Sequence, residues 1–180
     1  GSLTSATIPE SVTCIGKAAF AGCSALESVT VAEGNSIYHS AGNCIIETET
    51  KTLVVGCKAS EIPADGSVTS IGNHAFYDCI SLASVTIPES VTSIGDYTFS
   101  NCTGLTSITI PTSVTSIGSR AFEGCDALTD VYYAGSADEW AKIAFADNNF
   151  PLQKAAKHYA DPTPPTPIAS GTCGDGVTWS

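Results

Sequence analysis

The residues best equipped for chemistry in this chain are its cysteines, eight in 180 positions. Cys23, Cys79, Cys102 and Cys125 close the stretches AFAGC, AFYDC, TFSNC and AFEGC, and so occupy one column of a recurring pattern. Aligned thiols suggest a metal site or disulfides. No C-x-x-C spacing supports zinc, and a column of cysteines along a core behaves as a row of small hydrophobes. Cys44 and Cys57 flank NCIIETETKTLVVGC and could face each other across it. A bridge, which needs Cβ atoms about 3.5–4.5 Å apart, and two free thiols both stay open there. Cys14 stands where Ser70, Ser93 and Ser116 stand in other copies, and Cys173 belongs to the C-terminal tail.

Hydrolysis would need a nucleophile, a base and a group that orients the base. The chain has three histidines. His74 fills a variable slot matched by Ala18, Tyr97 and Arg120, so it is expected on the solvated surface. Asp78, four residues on, offers it a surface pair or a weak metal site. His39, beside Tyr38, reads as structural, and His158 as part of a C-terminal cap. Glu47 with Glu49 and Asp138 with Glu139 are expected at a hairpin tip and a helix start, where solvent and the helix dipole account for them. Each recurring glycine stands singly, which does not make a phosphate loop. No catalytic constellation emerges, and the expectation is a non-enzymatic protein with no cofactor and no metal.

Composition narrows the partners. Eighteen Asp and Glu against seven Lys and Arg give a net charge of −11. Nucleic acid binding needs a clustered basic footprint, and anionic membrane surfaces need one too. No run reaches the roughly 20 apolar residues that span a bilayer. The chain opens GSLTS and contains no Met, which reads as an excised fragment whose first residues are a cloning scar, so its compartment is not legible there.

The elements that carry these residues come from repetition. LASVTIPESVTSIGDYTFSNC starts at Leu82, and LTSITIPTSVTSIGSRAFEGC starts at Leu105, 23 residues later. Leu3–Ala25, Leu82–Gly104 and Leu105–Ala127 each fit one template. Another copy, 26–81, opens LESVTV, is interrupted, and closes SVTSIGNHAFYDC; the last opens LTDVYY at Leu128 and departs. A period of 20–29 residues with this Leu/Ile spacing predicts a leucine-rich-repeat solenoid.

Within a coil, Leu105, Ile108 and Ile110 are expected inward and Thr106, Ser107 and Thr109 outward, with the period of two of a strand. Pro111 lacks an N–H and ends the ladder. Val114 and Ile117 form a second inward pair. Gly118 is expected at a turn needing φ > 0, and Phe122 with Cys125 on one helical turn. Ala121 lets neighbouring coils approach. The interruption predicts a β-hairpin that stacks on the solenoid and buries Ile45, Ile46, Leu53 and Val55. Ser136 and Glu139 form a capping box ahead of Trp140 and Ile143, and LQKAAKHY completes the cap.

The fold class expected is therefore an α+β repeat: a leucine-rich-repeat solenoid of ~23-residue coils with a stacked hairpin insertion and a C-terminal helical/strand cap. The boundaries are a repeat domain at 1–160 with its cap at 128–160, a Pro-rich linker at 161–167 and the start of a following module at 168–180.

The outward slots of the strands are the candidate binding face: Thr4, Thr7, Glu27, Thr30, Ser84, Thr86, Thr106, Thr109, Asp130 and Tyr132. Repeat proteins bind along such extended surfaces, although Thr suits any strand whether or not a ligand is present. Tyr132 and Tyr133 add aromatic anchors of the type enriched at interfaces, or else pack the cap.

The cores IPxSVTxIGxxAFxxC at Ile8, Ile87 and Ile110, the stretch SVTSIGNHAFYDC from Ser67 and the ending LTDVYYAGSADEWAKI resemble the BspA-like, or Treponema pallidum type, leucine-rich repeats over roughly residues 1–160. That resemblance implies a secreted or cell-surface bacterial protein that adheres to a host or bacterial surface protein or glycan; the charge and hydropathy above add the expectation of no nucleic acid partner and no direct membrane insertion, and the chain is expected to be a monomer. The alternative is a spacer that holds neighbouring modules away from the cell wall. The tail GTCGDGVTWS resembles the start of a module found in related surface proteins.

Overall fold

The computed structural model describes residues 3–160 and two further short strands, Gly171–Thr172 and Thr178–Trp179, which pair antiparallel. The Pro-rich segment 161–167, Cys173 and the rest of the expected following module lie outside the described residues.

The chain winds as a β-solenoid. Its first wall is made by the template strands. β1 (Ser5–Ile8) pairs parallel with β2 (Ser28–Val31), and β7 (Ser84–Thr86), β9 (Ser107–Ile110), β11 (Asp130–Tyr133) and β13 (Ala156–Tyr159) form a four-stranded parallel sheet. Registers such as Ser84↔Ser107 and Ser107↔Asp130 place each residue beside the one 23 positions on. Alternation then does what the sequence predicts: Ile108 and Ile110 are buried while Thr106 is exposed.

The second wall is a seven-stranded sheet. The two-residue strands β6 (Ser70–Ile71), β8 (Ser93–Ile94), β10 (Ser116–Ile117) and β12 (Ala144–Phe145) run parallel. The insertion joins this sheet at its edge as β3 (Tyr38–Ala41), β4 (Cys44–Glu47) and β5 (Thr52–Val55), with β5 parallel to β6. It is thus a three-stranded meander that continues the wall, where the sequence predicts a two-stranded hairpin lying on it. β3 escapes detection because YHSA has no apolar alternation. Ile45, Ile46, Leu53 and Val55 are buried as expected.

The third wall corrects two expectations. The Phe-x-x-Cys segments are hydrogen-bonded turns and not helical: Cys125 N–H reaches back only to Phe122 C=O, at 3.2 Å. Alternate peptide groups serve the next coil, as Tyr97 N–H donates to Ser119 C=O and Phe99 N–H to Ala121 C=O. The only helices among the described residues are α1 (Ala137–Trp140) and α2 (Phe150–Lys154), so the described residues form a β-solenoid with little helix, which leaves the α+β label without support. The capping box forms, with Glu139 N–H donating to the Ser136 hydroxyl and Ser136 N–H to the Glu139 carboxylate.

Gly118 does not have positive φ; that conformation falls two residues later in each coil, at Ala18, His74, Tyr97 and Arg120, with φ of 52–61°. The glycine is required by close approach: a Cβ on Gly118 would lie 2.5 Å from the carbonyl carbon of Gly95.

The core runs through the stack. Phe76, Phe99 and Phe122 are fully buried and stack in file, with ring centroids 5.1 and 5.2 Å apart. Cys102 and Cys125 are fully buried beside them, and each thiol donates to the carbonyl of the phenylalanine one coil back, Phe76 at 3.1 Å and Phe99 at 3.0 Å. Burial pushes the Cys125 thiol up to about 12 and the Cys102 thiol well above its ordinary range, so neither is a nucleophile at neutral pH. Cys44 and Cys57 are both buried and both free thiols, donating to Gly42 C=O and Asn43 C=O.

Candidate binding face

The ten predicted face residues fall on two separate sheets. Thr4, Thr7, Glu27 and Thr30 lie along β1 and β2, and the others along the four-stranded sheet. The break arises from the insertion. Ser28 and Ser84 lie at equivalent strand positions but are separated by two coil lengths and ten further residues. Lys58, from the segment that returns after β5, pairs with Glu27 at 2.8 Å, and its ammonium holds that carboxyl below the usual glutamate range.

Several of these side chains serve the fold. The Thr7 and Thr30 hydroxyls bond each other at 2.9 Å across adjacent coils. The Thr106 hydroxyl donates to Ala83 C=O at 3.1 Å, and Thr129, one coil on, donates to Thr106 C=O at 3.3 Å. A threonine here caps the carbonyl of the preceding coil, which is a structural reason for the residue type. Ser84 and Thr86 are exposed.

On the four-stranded sheet two outward rows emerge from the registers: Ser84, Ser107, Asp130, Ala156 and Thr86, Thr109, Tyr132, His158. The first four positions to depart from Ser and Thr gather at β11 and β13. His158 Nε2 lies 2.7 Å from Asp130 Oδ1, and its ring stacks on Tyr132 with centroids 4.7 Å apart. The Thr129 hydroxyl, at 2.7 Å, and then His158 hold the Asp130 carboxyl below the ordinary aspartate range. Tyr132 is 46% exposed, among the most exposed large hydrophobic side chains described. Tyr133, by contrast, is buried, and its ring meets Trp140 edge-on at 5.2 Å. Of the two tyrosines, one anchors the core and one faces out.

Sequence reasoning missed His158 as a member of this face. AKHY carries no template signature, and its register is offset from β11 by 26 residues where the other strands keep 23. His74 is also corrected. It is half-buried, its ring stacks on Tyr97 at 5.0 Å, and its Nδ1 is sealed from solvent with no hydrogen-bond partner among the described residues. Burial, then the nearby Lys17, lowers its proton affinity against the opposing pull of Asp96. His39 bonds Thr48 across the meander at 3.0 Å.

Two depressions flank the face. One of about 710 Å³ lies between β7 and the return segment. Another, of about 1020 Å³, sits by α2, where Phe150 is 70% exposed and Glu123, Asp126 and Lys154 mix their charges. Among the described residues no group of three or more His, Cys, Asp or Glu is arranged to hold a metal ion, and no helix is long and apolar enough to cross a membrane.

Comparison with known proteins agrees with this geometry. No curated protein matches the chain significantly. A solved leucine-rich repeat protein from Eubacterium ventriosum is 28% identical, with a TM-score of 0.63 over 74% of this chain and 37% of its own. One from Bacteroides ovatus is 27% identical, with a TM-score of 0.53 over 87% of this chain and 36% of its own. The Treponema pallidum leucine-rich repeat protein shares the fold at 21% identity and a TM-score of 0.50, over 89% of this chain and 71% of its own. The chain thus spans little more than a third of the length of the first two. The BspA type leucine-rich repeat region matches in six copies over residues 1–53 and 51–151. With the 23-residue register, the buried Leu/Ile/Phe files and this match together, the chain belongs to the BspA-type leucine-rich repeat family.

Proposed function

We propose that this is a non-enzymatic binding module of a bacterial surface or secreted protein, which engages a protein or glycan through the outer face of the four-stranded sheet. The observation that carries this reading is the Asp130–Tyr132–His158 cluster. It breaks a face otherwise built of Ser, Thr and Ala, and it offers an exposed aromatic ring beside a carboxylate. Aromatic side chains with a polar neighbour are the groups on which interfaces concentrate their energy. A face of small hydroxyls around such an anchor accepts either peptide or sugar hydroxyls.

A spacer is the second reading, favoured by the Thr106 and Thr129 hydroxyls being engaged on carbonyls of the coil before. Screening the chain against host matrix proteins, mucins and glycans at physiological salt separates the two. Capture that Tyr132→Ala and the pair Thr86→Arg, Thr109→Arg abolish supports the binding face. Silence across the whole array moves the assignment to the spacer.

A further inference from the structure

The face has a gap one strand wide. Between β2 and β7 the repeat calls for one more strand, and Ile62–Pro63 still repeats the Ile87–Pro88 pair there. Ile62 packs against the core as a template isoleucine should. Its backbone, however, belongs elsewhere. Glu61 N–H donates to Gly42 C=O at 2.8 Å, and the two segments are so close that a Cβ on Gly42 would fall 1.9 Å from the Glu61 carbonyl oxygen. The segment is tied to the meander, and among the described residues no backbone hydrogen bond joins it to β7.

β7 is therefore an edge strand. At its two ends the flanking Ala83 carbonyl accepts from Thr106 N–H and the flanking Ile87 N–H donates to Thr109 C=O, so odd-numbered peptide groups face β9. By the alternation of a parallel ladder, the N–H and C=O of Ser84 and Thr86 point the other way, into the groove of about 710 Å³. Exposed rows of unpaired N–H and C=O groups are templates for a further strand. Ile62 and Ile87 lie in the groove lining, and the exposed Glu61 and Glu89 stand on its flanks with no Lys, Arg or His among the lining residues. The nearest return-segment cation, Lys58, is already paired with Glu27.

We infer that this groove binds an extended peptide segment of a partner protein carrying Lys or Arg, added as a strand to the free edge of β7. This rests on the binding reading above and names the partner's chemistry. Backbone pairing supplies affinity, and pockets for alternate side chains supply selectivity, in strand addition generally. A polysaccharide lacks the regularly spaced N–H and C=O pairs that Ser84 and Thr86 would meet. A second copy of this chain would bring Glu61 and Glu89, and a net charge of −11, against their own kind.

The test uses the fluorescein-labelled peptide KVTVKV and its acidic counterpart EVTVEV with the full 180-residue chain. KVTVKV is expected to bind saturably and EVTVEV not. Thr86→Pro removes the outward N–H at a place where an edge strand tolerates proline. It should weaken KVTVKV about tenfold or more while leaving the melting transition in place. The double variant Glu61→Lys, Glu89→Lys should reverse the preference toward EVTVEV. Amide exchange at Ser84 and Thr86 should slow when KVTVKV binds.

Absence of saturable binding, equal binding of the two peptides, or full binding by Thr86→Pro would overturn the inference. So would dimerisation of the chain that Thr86→Pro abolishes, which would make the occupant a second copy. If Thr86→Pro keeps an array ligand that Tyr132→Ala loses, the sheet-face reading stands and the edge inference alone falls.

Discussion

The first coil and the coil from Leu105 share Leu, Val, Ile, Phe and Cys in five core slots, although Ala6 stands where the later coil has Ile108, and the shared residues are buried differently. Val114, Ile117, Phe122 and Cys125 are fully buried, whereas Val12, Ile15, Phe20 and Cys23 are only partly covered. Leu105 is sealed, while Leu3 is 44% exposed. The later coil lies between neighbours on both sides; among the described residues the first is covered on one side only, by β2. The Phe file also ends before it reaches Phe20, because Gly56 occupies the place next to Phe76 and any Cβ there would meet the Phe76 ring at 2.1 Å. Burial in this fold is conferred by adjacent coils, as expected where each repeat contacts only its neighbours. Matching core residues do not bring matching burial.

The comparison can be broken most decisively at the phenylalanines. Phe99→Ala, in the middle of the file, should cost about 3–5 kcal/mol in urea unfolding, and Phe20→Ala markedly less. Equal losses would mean that the first coil is as well packed as the interior. The glycines sharpen the same point. Gly118→Ala forces a Cβ onto the neighbouring backbone and should cost about 1–3 kcal/mol. Gly16→Ala, with nothing within 4 Å of the new atom, should stay within about 0.5 kcal/mol of the wild type.

Asn149 probes the opposite end. Its buried side chain accepts from Phe122 N–H at 3.1 Å and donates to Gly118 C=O and Ala146 C=O, each at 2.9 Å. It stands where the backbone of a further coil would serve Phe122. Asn149→Ala should lower stability by about 1–3 kcal/mol, and a neutral result would show that this end needs no such substitute.

The smallest effect expected is acid loosening on the outer face. The carboxyls of Glu27 and Asp130 are both held below their ordinary values, by Lys58 and by Thr129 with His158 respectively. A depressed folded value means that their stabilisation is present above the unfolded carboxylate range, near pH 4, and is lost as pH falls through the folded value. Glu27→Gln and Asp130→Asn should each flatten the acid limb of the stability curve slightly. An unchanged limb in both would show that these exposed pairs contribute nothing measurable.

Much of the fold was legible because repetition averages out local ambiguity. Ile108, Ile110, Val114 and Ile117 are inward as the period of two and the template demand. The failures share a cause: they depend on what the next coil does. Gly118 reads as a turn glycine within one repeat, and only the Gly95 backbone beside it reveals a steric requirement. The Phe122 turn reads as helical until its peptide groups are seen to serve other coils. The face residues were individually legible, but its continuity was not. The offset of ten residues in the insertion decides that Glu27 meets Lys58 and that β7 has no strand partner on one side among the described residues.

The left-handed residues carry one more consequence. At His74, Tyr97 and Arg120 the backbone N–H is committed to the next coil, to Asp96, Ser119 and Asp147 C=O respectively. The conformation is fixed by the stack, so the side chain plays no part in specifying it. These three point along one line, where His74 stacks on Tyr97 and the Arg120 guanidinium lies 5.8 Å from the same ring. Each added coil therefore extends a file of replaceable side chains at the strand interval of about 4.8 Å. A solenoid built this way is a ruler whose graduations can be relabelled one at a time without changing its length.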